Sequence, residues 1–197
     1  MTNVYVRLFG GKLRVNFFAP FSYIFMYCAE GFVSFAIILF AALIHEIGHA
    51  VCIKFLGGKI KSIIAEPFGA IIEYGSERLS YGDEVKISLF GIFFNLIGGF
   101  LGSLVFCFFV DTYVLLFVFA CLFFAVINAI PIHGSDGSNA LYYCLIKNKT
   151  PDEAEHVVKY VSVASRIFFA SIGILLLFLT NFNNSLFALL LFAVIPR

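Results

Sequence analysis

Long apolar runs separated by short charged clusters organise the chain. Residues 31–53, 87–110 and 112–128 contain no Lys or Arg and, between them, a single acid, Glu46. Each falls near the ~17–25 residues that cross a bilayer core as a helix. A shorter apolar run covers 15–29. The last run is interrupted by "TNFNNS" at 180–185, a turn-like cluster that splits it into a span beginning near Tyr160 and a short one from about Leu186. The pattern predicts an all-α membrane protein with six transmembrane helices. Between the second and third spans, "KSIIAE" (61–66) and "GAIIEY" (69–74) flank Pro67, Phe68 and Gly69. Their content of β-branched residues and the breaker between them predict a short β-hairpin.

Composition supports a bilayer environment. Of 197 residues, 61% are hydrophobic and 13% charged, against roughly 25% charged in soluble domains. With 27 Phe, a soluble core of this size has nowhere to put its apolar surface, so lipid must solvate it. The net charge of +1 provides no electrostatic footprint for nucleic acid. Five cysteines without a C-x-x-C pair argue against a disulfide framework and for buried packing thiols. Arg7, Lys12 and Arg14 precede the first apolar run as in a signal peptide, but no small-x-small cleavage site follows, which predicts a retained span.

Charge also sets an expected orientation. With six spans, all 13 Lys and Arg fall on one side, at the N-terminus, between spans two and three, around the start of span five, and at Arg197. The positive-inside rule then places both termini in the cytoplasm. In span three, Gly91, Asn95, Gly98 or Gly99, and Gly102 recur at helical spacing, a small-residue stripe suited to close helix packing. No internal repeat or linker appears, so a single membrane domain over 1–197 is expected.

"ALIHEIGHAV" (42–51) breaks the apolar pattern. On a helix His45 and His49 lie one turn apart on one face, so both imidazoles can reach a single ion. Glu46 is placed beside them to take a proton from water. This is the H-E-x-x-H arrangement of zinc proteases, and three ionisable residues in a membrane helix point to function. A catalytic zinc has a third protein ligand and an open position. The stretch "NAIPIHGSDGSNA" (128–140), where Pro131, Gly134 and Gly137 oppose a regular helix, offers Asp136 and, three residues earlier, His133. His156 lies on the polar face of an expected cytoplasmic helix. Glu66 and Glu73 read as solvated charges.

The pair "HEIGH" and "NAIPIHGSDG" resembles the site-2 protease family of intramembrane zinc metalloproteases, whose signatures are H-E-x-x-H and N-x-x-P-x-x-x-x-D-G. Both spacings hold, through His45, Glu46, His49, Asn128, Pro131, Asp136 and Gly137, with a catalytic core at about 31–140. The resemblance implies Zn2+ held by His45, His49 and Asp136, Glu46 as catalytic base, and Asn128 with Pro131 at the substrate or oxyanion. Asn128 otherwise caps the broken fourth span.

"GGKIKSIIAEPFGAIIEY" is similar to the sporulation branch, which implies a bacterial membrane location and release of a sigma factor from a membrane-associated precursor. An inhibitory membrane protein is a further implied partner. Three departures stand out. Ile92 follows Gly91 where Pro is common, Ser138 follows Gly137 where a second Gly is common, and the nucleotide-sensing CBS domain common in that branch is not expected here. Two other readings stay open: a non-catalytic binding or chaperone protein of the same fold, and a zinc transporter.

Overall fold

The computed structural model describes residues 7–8, 11–17, 19–66, 69–75 and 79–179. Its elements in chain order are β1 (Arg7–Leu8), β2 (Gly11–Val15), α1 (Ala19–Phe55), β3 (Lys59–Glu66), β4 (Gly69–Gly75), α2 (Tyr81–Phe108), α3 (Thr112–Ala129), α4 (Asp136–Leu145) and α5 (Pro151–Leu179). The chain divides into two compact units, Met1–Ile127 and Asn128–Arg197.

In the first unit, α1 is two helices joined at Gly31, whose φ of 77° and ψ of 167° lie in a region that essentially only glycine occupies. The chain folds back there. Tyr23 and Tyr27 each pack a ring 6.4 Å from that of Phe35, although residues 23 and 35 would stand ~18 Å apart on a straight helix. The returning helix stops at a Schellman motif. Gly58 N–H donates to Ile53 C=O (2.8 Å) and Gly57 N–H to Lys54 C=O (3.0 Å), with Gly57 in the left-handed region at φ 81°.

A four-stranded sheet in the order β1-β2-β3-β4 accompanies these helices. The expected hairpin is present as β3 and β4, antiparallel with Ile63 opposite Ile72 and Ala65 opposite Ala70. Its tip residues, Pro67 and Phe68, lie outside the described residues. The N-terminal strands are an addition to the expected all-α architecture. β2 pairs parallel with β3, Leu13 opposite Ile63 and Val15 opposite Ala65, so the basic residues Lys12 and Arg14 belong to a strand. Lys12, Leu13, Arg14 and Val15 alternate polar and apolar, a period-two pattern that a strand satisfies.

The core sits where sheet and helices meet. Ala50, Cys52 and Ile53 of α1, Ile60 of β3 and Ile87 of α2 are buried together, with Ile63, Ile72, Tyr74 and Phe90 against them. A second cluster joins Ala41 of α1 to Ala120 and Cys121 of α3. Elsewhere the helices expose large apolar side chains, among them Phe93, Phe100, Phe108 and Phe119, as lipid-facing surfaces do.

Four helical stretches are long and apolar enough to cross a membrane among the described residues: Glu30–Phe55, Tyr81–Phe108, Thr112–Ala129 and Pro151–Leu175. This is a mostly helical membrane protein. The expected second to fifth spans correspond to these four, with α2 and α5 beginning earlier than hydropathy implied. Lys86, Lys159 and Arg166 therefore lie within helices. The expected first span is different. Residues 19–30 reach only ~18 Å as a helix, short of a ~30 Å hydrocarbon core. The expected sixth span, from Leu186, lies outside the described residues.

All five cysteines are free. Cys52 and Cys121 are buried packing thiols as expected, whereas Cys28, Cys107 and Cys144 are exposed, a departure that a lipid-solvated surface permits.

In the second unit, α4 begins within the stretch expected to be irregular. Ser135 caps it, its Oγ accepting from Ser138 N–H at 3.2 Å and donating to Ile130 C=O at 2.6 Å. Gly137 lies in the first helical turn, where an added Cβ would lie 2.7 Å from the carbonyl carbon of Ala129. The fold-back at Gly31 yields a test. Gly31→Ala meets no neighbour within 4 Å, so its cost is backbone strain alone, about 1–3 kcal/mol. Unfolding of the purified protein in detergent should show that loss, and an unchanged midpoint would contradict the conformation at Gly31.

Candidate metal centre

The two histidines of α1 meet as their spacing requires. Their Nε2 atoms lie 3.1 Å apart and the rings stand nearly perpendicular, with centroids at 4.8 Å. His45 is 5% exposed, so its polar ring atoms must find partners within the protein.

Both Nδ1 atoms are held by α2. His49 Nδ1 lies 2.8 Å from the Ile87 carbonyl. A carbonyl only accepts, so Nδ1 carries a proton and Nε2 of the neutral ring presents a lone pair. His45 Nδ1 lies 3.2 Å from Asn95 Nδ2. Two imidazole nitrogens 3.1 Å apart suit a shared cation, because ligands 2.0–2.1 Å from a tetrahedral ion are themselves ~3.3 Å apart. The Nε2 spacing, together with the Ile87 carbonyl that fixes the His49 tautomer, therefore fits a zinc-like ion.

Close approach of α2 makes this possible. A Cβ at Gly48 would lie 2.6 Å from Phe90 O and 3.0 Å from Gly91 Cα, so the helix backbones touch between the two histidines. A Cβ at Gly91 would lie 2.8 Å from His45 Cε1 and 2.6 Å from His49 Cε1. The stripe on α2 is buried as expected, at Gly91, Asn95, Gly98, Gly99 and Gly102. Its first glycine does more than pack helices, since it makes room for both imidazoles.

Glu46 is half-buried on the same turn. Its Oε1 accepts from the Ala70 backbone N–H at 3.1 Å, which brings the β3–β4 hairpin to the expected base. The same end of the hairpin is tied down a second time. Asn16 Nδ2 donates to Glu66 Oε2 at 2.7 Å and Tyr23 Oη donates to the Glu66 carbonyl at 2.8 Å. Glu73 hydrogen-bonds Ser62 and pairs with Arg14 Nη1 at 3.6 Å. Both glutamates are thus engaged within the sheet rather than simply solvated.

The remaining expected site residues belong to the second unit. Asn128 lies at its start and in the last turn of α3, and Pro131 lies in the link that follows. Asp136 opens α4, where the helix N-terminus favours a carboxylate. His133 is exposed, and its backbone N–H donates to Ser162 Oγ at 2.6 Å. Ser138, at the expected second-glycine position, donates its hydroxyl to the Ser135 carbonyl at 2.9 Å. His156 is exposed on α5.

Among solved structures, the site-2 protease from Methanocaldococcus jannaschii superposes with a TM-score of 0.67, covering 96% of this chain and 90% of that one at 20% sequence identity. The chain has the fold of a site-2 protease. No family model and no curated protein matches its sequence. The two chains thus share a fold at 20% sequence identity.

Three contributors went unread in the sequence: the Ile87 carbonyl, the Ala70 N–H and the Asn95 amide. The two backbone groups leave no sequence signal. Asn95 does, as an amide in a charge-free span, where polar residues are costly.

The packing at Gly91 is directly testable. Gly91→Ala should displace the imidazoles and weaken zinc binding by about 10–100-fold, the range for disturbed ligand support. Gly99→Ala, whose Cβ meets Leu122 at an ordinary 3.4 Å, should leave affinity unchanged. Chelator-competition titration distinguishes the two, and equal affinities would overturn the assigned role of Gly91.

Proposed function

We propose that the chain is an intramembrane zinc metalloprotease that hydrolyses a peptide bond of a membrane-associated protein near the cytoplasmic face. The observation that carries this reading is the Nε2 pair of His45 and His49, 3.1 Å apart, with Glu46 on the same helical turn. Asp136 is taken as the third ligand, as the motif resemblance implies, and its place at a helix N-terminus suits it better than exposed His133. The site-2 protease fold agrees with that chemistry.

When bound, zinc supplies Lewis acidity at the scissile carbonyl and draws the pKa of water towards ~7. Glu46 takes the attacking water's proton and passes it to the leaving amine. The Ala70 N–H on Oε1 fixes the rotation of that carboxylate. Asn128 hydrogen-bonds substrate backbone or the developing oxyanion, and Pro131 keeps the chain before α4 out of helical conformation.

β4 ends the sheet order, so a substrate strand can add to its outer edge and be held extended. Extension matters because helical peptide bonds are shielded. His49 precedes Lys54 by five residues, which puts the zinc within ~10 Å of the basic side, and the positive-inside rule makes that side, with both termini, cytoplasmic. The likeness of residues 57–74 to the sporulation branch supports a bacterial membrane and a sigma-factor precursor as substrate.

Co-expression with a membrane-bound sigma-factor precursor tests the reading by product size. Glu46→Gln keeps the side chain's shape and removes its basicity, so cleavage should fall at least ~100-fold. Undiminished cleavage by the variant would assign the cut to another enzyme and refute Glu46 as the base.

A further inference from the structure

Asn95 lies at the middle of α2 and is 0% exposed. Its Nδ2 is 3.2 Å from His45 Nδ1, while its Oδ1 is buried with no hydrogen-bond partner among the described residues. A buried amide oxygen left unpaired has given up water without gaining a partner, which is destabilising. In an otherwise charge-free span, a leucine would cost nothing of the kind.

Two arrangements of hydrogens suit the pair. With the amide NH2 facing His45, Nδ1 is a lone pair and the ring's proton sits on Nε2, aimed at His49 Nε2 3.1 Å away. A ring in that tautomer cannot offer Nε2 to a metal. With the amide turned over, Oδ1 accepts from Nδ1–H, and Nε2 is free to bind. The two ends of an amide are nearly isosteric, so the turn needs almost no additional space. It also gives the orphaned oxygen its partner.

Resting on the metalloprotease reading, we infer that Asn95 is a positioning residue for the metal site, accepting from His45 Nδ1–H through Oδ1 when His45 holds the ion. The ring's proton count does not change: one proton leaves Nε2 and one is carried on Nδ1. The amide serves either tautomer, which a carboxylate or an aliphatic side chain cannot do. His49 needs no such partner, because the Ile87 carbonyl already fixes its tautomer. Support of this kind for a ligating histidine is worth about 10–100-fold in metal affinity.

The test measures zinc affinity by chelator competition for the full chain in lipid nanodiscs, comparing wild type, Asn95→Leu and Asn95→Asp. Asn95→Leu removes the acceptor and should bind zinc about 10–100-fold more weakly. Asn95→Asp keeps an acceptor and should stay within a few-fold of wild type. Nitrogen NMR of labelled histidine in the wild type gives a second readout, independent of any variant's folding. His45 should carry its proton on Nδ1 once zinc is added.

Equal affinity in all three proteins, or a zinc-loaded His45 protonated on Nε2, would overturn the role of Asn95 while leaving the metal site standing. Asn95→Asp as weak as Asn95→Leu would overturn the acceptor role. A wild type that takes up no zinc would remove the metalloprotease reading itself, and this inference with it.

Discussion

An imidazole inside a membrane helix has no water to satisfy its two nitrogens, so each must find a partner in the protein or in a bound ion. The arrangement around His45 and His49 follows from that constraint. Their Nδ1 atoms turn to α2, to the Asn95 amide and the Ile87 carbonyl. That leaves two Nε2 atoms facing each other 3.1 Å apart, a geometry that a shared cation resolves. In water the same rings would be satisfied without any of this scaffolding.

The surrounding structure serves that geometry. Gly48 and Gly91 let the backbones of α1 and α2 touch, which alone brings the Ile87 carbonyl within reach of His49. The stripe continues along α2, where Gly98 approaches Ile44 and Cys121, and Gly102 approaches Phe117 and Val118. Packing between helices in lipid depends on such contact, since apolar side chains gain nothing by leaving lipid for one another. The sheet adds the remaining element. By tying Glu66 to Asn16 and Tyr23 while Ala70 reaches Glu46, it carries an extended backbone to the acid on which hydrolysis would depend.

Much of this was legible from residues alone. HEIGH declared itself because polar residues are conspicuous in an apolar run, and their i, i+4 spacing fixed which atoms could meet. The β3–β4 hairpin was legible through its β-branched runs and its breaker. α3 was legible almost to the residue, since Asp111 precedes it and Pro131 follows it closely. The N-terminal strands were not, although Lys12 to Val15 alternates: basic residues before an apolar run also suit a membrane flank, and the parallel pairing with β3 is a long-range contact. α4 was hidden by its own glycine. Gly137 discouraged a helix, whereas the Ser135 cap starts one and the close passage of Ala129 requires that glycine in its first turn. Asn95 was legible only as part of a packing stripe, because its role depends on which residue α1 places opposite it.

Sharing of one metal ion by His45 and His49 through Nε2 is central to the proposed chemistry. X-ray absorption at the zinc edge of the purified, zinc-loaded protein addresses this most directly. Nitrogen and oxygen donors at ~2.0–2.1 Å are expected, with outer-shell scattering from two imidazoles that falls to one in His49→Ala. A spectrum without imidazole scattering, or one dominated by sulfur at ~2.3 Å, would contradict it.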